Sequence, residues 1–175
     1  MRASGVVSLL LLTAVFVLGI ATTKRLRTRS LPGFAALGLH RSISLLSVVF
    51  LLVHVVTAVV DPYAVVSVAS VFVPFVAGRS AFWVGLGALS LDLVAALIVT
   101  SLLRARLSLK VWRGVHWAAY LAWPLAIGHS LGVGTDTRTL WLRALAAGCV
   151  TAVAAGLVAR LARPANGKRL EPQPA

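Results

Sequence analysis

The sequence predicts an all-α integral membrane bundle of five transmembrane helices, N-terminus outside and C-terminus cytoplasmic. Three observations carry that expectation. Of 175 residues, 59% are apolar and 12% charged, whereas soluble domains hold about half and a quarter. Apolar runs near the roughly 20 residues needed to cross a hydrocarbon core of about 30 Å recur along the chain. The basic residues stand in short blocks beside those runs and do not spread over a face.

The first span is expected at residues 6–22. Arg2 precedes it, and Lys24, Arg25, Arg27 and Arg29 follow it. A cleaved signal peptide carries its charge the other way round, so this run reads as a retained anchor. The second span covers 34–60, the third 81–103, the fourth 111–131 and the fifth 140–161. Together they define a transmembrane domain over 1–163, followed by a short polar cytoplasmic tail at 164–175. Between spans two and three, Pro62, Pro74 and Gly78 break residues 61–80 into an external loop. Its Tyr63, Phe72 and Phe75 suit the membrane interface, where aromatic rings are favoured.

Charge sets the orientation. The loops after spans one and three, with the C-terminal tail, carry twelve Lys/Arg. Arg2, Arg79, Arg138 and Arg143 fall on the other side, partly balanced by Asp61 and Asp136. Positive charge collects on the cytoplasmic side, so spans two and four run in the same direction, from cytoplasm to exterior. The same rule accounts for the +13 net charge without an acidic partner, and no nucleic-acid role is expected. The lone Cys149 can form no intrachain disulfide and reads as a small packing residue.

All four histidines lie in two of these spans. His40 and His54 have thirteen residues between them in the second; His116 and His129 have twelve in the fourth. At 1.5 Å per residue each pair is about 20 Å apart along its helix. Because the two spans are parallel, His40 matches His116 towards the cytoplasm, and His54 matches His129 towards the outside. Ionisable residues within a membrane usually mark a site or a pathway. Two imidazoles at each of two levels suit the axial positions of two haem irons. The alternative is that the four are ordinary polar residues satisfied by hydrogen bonds. Phase is a difficulty: fourteen steps return His54 to about 40° from His40, but thirteen leave His129 about 140° from His116. Pro124, between the latter two, is the residue expected to re-phase the helix.

With these spacings the chain resembles the ferric reductase-like transmembrane domain family, shared by ferric reductases and the membrane part of NADPH oxidases. The likeness rests on His40/His54 and His116/His129, and on GLGALSLDLVAALIVTSLLRARLSLKVWRGVHW, with Thr100, Ser101 and Trp112 ahead of His116. It extends over about residues 33–163. It implies bis-histidyl b-type haems and electron flow from inside to outside. Members that use NAD(P)H carry a flavin- and nucleotide-binding domain after the last helix. Here the final span is followed by a short tail, and no GxGxxG follows a strand. Larger members also have six helices where five are counted here.

Other residues fit around this core. Arg41 and Arg113 are the candidates to meet the propionates of an inner haem, and Arg79 or Arg138 those of an outer one; otherwise each is a snorkelling or topology-setting charge. Asp92, in the middle of span three, is costly unless neutral or hydrogen-bonded, and reads as either a proton-path or a structural residue. Trp117, Tyr120 and Trp123 would wall a haem or fill the bundle.

The resulting expectation is a multi-pass plasma-membrane cytochrome holding two haem b groups, a haem-dependent oxidoreductase component. Its donor would be a separate protein or quinol. Its external acceptor would be a ferric chelate, a flavin protein or a reductase subunit. The rivals are a haem subunit of a quinol-linked or sulfoxide-reductase-type complex, a metal permease, and a structural membrane protein without cofactor.

Overall fold

Apolar side chains run almost unbroken through four long segments, and each becomes a helix: α1 (Arg2–Thr23), α2 (Gly33–Val60), α4 (Ala81–Leu102) and α7 (Leu140–Ala162). In a computed structural model, residues 2–23, 33–64, 66–78, 80–133 and 139–162 are described. Among them there is no strand, and these four helices are long and apolar enough to cross a membrane. In lipid a helix satisfies its own backbone, which is why runs of this length take that form. The 24–29 basic block, Arg79, Asp136, Arg138 and the 164–175 tail lie outside the described residues.

The 61–80 loop contains one short helix, α3 (Val68–Phe72), started by Ser67, whose hydroxyl accepts a bond from the Ser70 N–H. Tyr63, Phe72 and Phe75 are all exposed, and Phe75 also turns back onto Gly85 of α4 and stacks with Phe82 at 6.3 Å. Phe75 adopts a φ of 68°, a left-handed conformation uncommon for a bulky residue.

The expected fourth span is not one helix. It divides into α5 (Leu109–His116) and α6 (Ala119–Val133). At 15 residues, α6 alone rises only about 22 Å. The division carries the correction to the phase problem. Ala118 donates to Val115, Tyr120 to Trp117 and Leu121 to Ala118, at 2.8–3.0 Å. These are i→i+3 bonds, and each such step turns about 120° where an α-helical step turns about 100°. Some four tightened steps recover roughly 80° and cut the 140° offset between His116 and His129 to about 60°. Pro124 sits further on, inside α6. It removes the N–H that would reach Tyr120, and its ring crowds that carbonyl, so the disturbance falls in the turn before it.

In the packing, α1 is central. It lies against α2, α6 and α7, while α4 packs on α6 and receives α3 and α5. The core between α1, α6 and α7 is built on Leu9, Trp123, Ile127, Cys149 and Val153. A buried polar bond crosses it, Trp123 Nε1 donating to Thr13 Oγ1 at 3.0 Å. Ser90 of α4 ties to α6 in the same manner, donating to the Ala122 carbonyl at 2.8 Å. By contrast α2 turns Leu45, Leu52 and Val56 outward, a surface suited to lipid.

Candidate cofactor site

Each of the four histidines is partly buried, and the helices bring them together in pairs drawn from α2 and from the α5–α6 arm. His54 and His129 face one another with ring centroids 6.3 Å apart and planes 75° from parallel. His40 stands in the neighbourhood of His116. The ring-to-ring approach is thus between His54 of α2 and His129 of α6.

Backbone carbonyls of neighbouring helices orient two of the rings. His40 Nδ1 is 3.1 Å from the Val15 carbonyl of α1, and His129 Nδ1 is 2.9 Å from the Trp83 carbonyl of α4. A carbonyl only accepts, so Nδ1 carries the proton in both and Nε2 keeps its lone pair. Fixing the tautomer through the far nitrogen is what orients an imidazole for a metal. Sequence reasoning missed both acceptors, because a main-chain carbonyl leaves no mark in residue type. His116 is held otherwise: its ring stacks on Trp112, one turn earlier, at 4.8 Å and 23°, and Arg104 covers the other ring at 5.1 Å. Among the described residues, the buried Nδ1 of His116 has no hydrogen-bond partner.

This donor set fits haem iron. A metal–imidazole bond is about 2.0–2.1 Å, so two rings on opposite sides of one metal have centroids roughly 6 Å apart, as His54 and His129 do. The unpartnered His116 nitrogen is likewise open to a metal. Among the described residues no three His, Cys, Asp or Glu gather; what is offered is the His54–His129 pair of imidazoles, and two is the number haem leaves open.

The other expected residues lie nearby. Arg41 adjoins His40 and Arg113 stands in the turn before His116, both exposed. Asp92 is half-buried, one turn beyond Ala88 on the buried face of α4. Trp117, Tyr120 and Trp123 follow His116 along the arm that leads to His129. Phe16 meets Tyr120 and Trp123 at 5.1 and 5.7 Å, and Arg160 of α7 lies over Trp117 and Tyr120 and donates to the Tyr120 hydroxyl. Trp123 is thus a core residue, and Arg160 joins the cluster around Trp117 and Tyr120.

The sequence model of the family described as ferric reductase like transmembrane component matches residues 4–127. That stretch includes His40, His54 and His116 and ends two residues short of His129. No curated protein and no solved structure matches the chain.

Proposed function

This chain belongs to the ferric reductase-like transmembrane component family, and we propose that it moves electrons across a membrane by way of two b-type haems. Domains of this family generally bind haem. One haem would be held by His40 and His116, the other by His54 and His129. The observation that carries this reading is the 6.3 Å approach of His54 to His129 from two different helices. Each bound haem would supply a reversible one-electron iron couple, suited to outer-sphere electron transfer.

The protein's own residues do the rest. Val15 and Trp83 hold the Nδ1 protons of His40 and His129 and leave the lone pair on Nε2. Trp112 braces His116. Arg41 and Arg113 supply positive charge beside the inner pair, where propionates would need it. Apolar helices keep water from the path, which favours electron transfer over side reactions.

Orientation follows from charge. Arg104 sits on Trp112 and Arg160 on Trp117 and Tyr120, so the basic ends of α4, α5 and α7 gather at the His116 end. On that reading this end is cytoplasmic, α5 and α6 together make the fourth of five crossings, and the N-terminus is outside. Residues 1–163 are then one domain and 164–175 its polar tail, in a plasma membrane. The donor is a cytoplasmic protein or quinol, and the acceptor an external ferric chelate, flavin protein or reductase subunit.

The test is transfer across a sealed bilayer. Vesicles loaded with a reductant should reduce an impermeant ferric chelate outside, and His129→Ala should abolish this while the inner pair stays reducible. A sealed bilayer with loaded protein and no transfer would overturn the proposal.

A further inference from the structure

Fourteen steps separate Gly5 from Gly19 in α1, and fourteen separate His40 from His54 in α2. The two helices run antiparallel, and the equal spacing brings Gly5 against His54 and Gly19 against His40. A Cβ placed on Gly5 would lie 3.0 Å from Cε1 and 3.2 Å from Nδ1 of His54; on Gly19 it would lie 3.4 Å from Cε1 of His40. On α4, a Cβ on Gly87 would come within 2.5 Å of Nδ1, 2.7 Å of Cε1 and 2.9 Å of Cγ of His129. Three atoms of the imidazole ring lie that close, so a methyl group at Gly87 requires the ring to shift.

A second regularity explains why glycine stands there. Val15, whose carbonyl meets His40, lies four residues before Gly19; Trp83, whose carbonyl meets His129, lies four before Gly87. In an α-helix the side chain at i+4 stands over the turn that carries the carbonyl of i. Glycine at i+4 uncovers that carbonyl and lets it accept an imidazole N–H besides its own helical bond. Gly38, Gly114 and Gly148, in contrast, have nothing within 4 Å of the same position.

We propose that Gly87, Gly5 and Gly19 are positioning residues that seat His129, His54 and His40 for haem iron. The inference rests on the haem reading above, and it ranks the three by the room each ring has. Gly87 is strict, Gly5 is at the limit and Gly19 has the most room. His116, braced by Trp112, uses no such seat.

The test compares Gly87→Ala, Gly5→Ala and Gly19→Ala, with Gly148→Ala as the control for a methyl group added to a spanning helix. Two readouts are taken on purified protein: haem bound per chain, and the low-spin ferric EPR signal, which reports the mutual angle of the axial imidazoles. Gly87→Ala should lose the outer haem. Gly5→Ala should retain haem with a displaced EPR signal from the same level. Gly19→Ala should displace the signal least of the three, and Gly148→Ala should match the wild type. Should Gly87→Ala fail to fold, Gly5→Ala against Gly148→Ala still decides the matter. A wild-type signal in Gly5→Ala, or equal haem loss in Gly148→Ala and Gly87→Ala, would overturn the seating. A wild-type protein without haem would overturn the functional reading beneath it.

Discussion

Replacing Thr13 with valine keeps the side-chain shape and removes one oxygen, the acceptor of the Trp123 Nε1 proton at 3.0 Å. Trp123 is 8% exposed and Thr13 6%, so no water is at hand to take over. The Thr13 hydroxyl also donates to the Leu9 carbonyl at 2.8 Å, but that carbonyl keeps its helical bond. The loss is therefore one interhelical hydrogen bond in an apolar core. Such bonds are worth about 0.6 kcal/mol on average and up to about 1.7 in membrane proteins. Because both groups are buried, the upper half of that range is expected for Thr13→Val. Trp123→Phe deletes the donor but also leaves a cavity, so its own cost is larger. A double-mutant cycle separates the two. The coupling free energy from reversible unfolding in mixed micelles should be about 0.6–1.7 kcal/mol. A coupling inside the scatter of additivity, about 0.3–0.5 kcal/mol, would refute the bond.

Two further outcomes are expected. A reporter fused after Ala175 should be active only if it works in the cytoplasm, since twelve Lys/Arg lie on that side; efficient export of the reporter would reverse the orientation and exchange the inner and outer pairs. Asp92, half-buried on α4, should tolerate Asn, which keeps a hydrogen-bonding group, but Asp92→Leu should lower haem content or turnover. Wild-type values for Asp92→Leu on both counts would leave the residue without a role.

The long helices were legible in the sequence because lipid makes one strong demand, an unbroken apolar run, and α1, α2, α4 and α7 each satisfy it within a few residues. The histidines stood out for the complementary reason, as polar groups where polar groups are costly. The thirteen-step phase error was legible too, but only as arithmetic. Its resolution depends on i→i+3 bonds around Trp117–Leu121, and nothing in that residue order distinguishes them from an ordinary helical turn. The glycine seats were half visible. Gly5 and Gly19 repeat the histidine spacing of α2, yet which helix faces which is decided between helices, and single-helix periodicity says nothing of it. The carbonyls of Val15 and Trp83 were invisible, since every residue has one.

The central claim is two haems on four histidines, and haem bound per chain tests it most directly. Purified wild-type protein should carry two, with a bis-imidazole low-spin spectrum. His54→Ala or His129→Ala should cost the outer haem alone, and His40→Ala or His116→Ala the inner one. The His40→Ala/His54→Ala double variant should carry none, because each level would then lack its α2 ligand. A double variant still fully loaded, with the wild-type spectrum, would contradict the account.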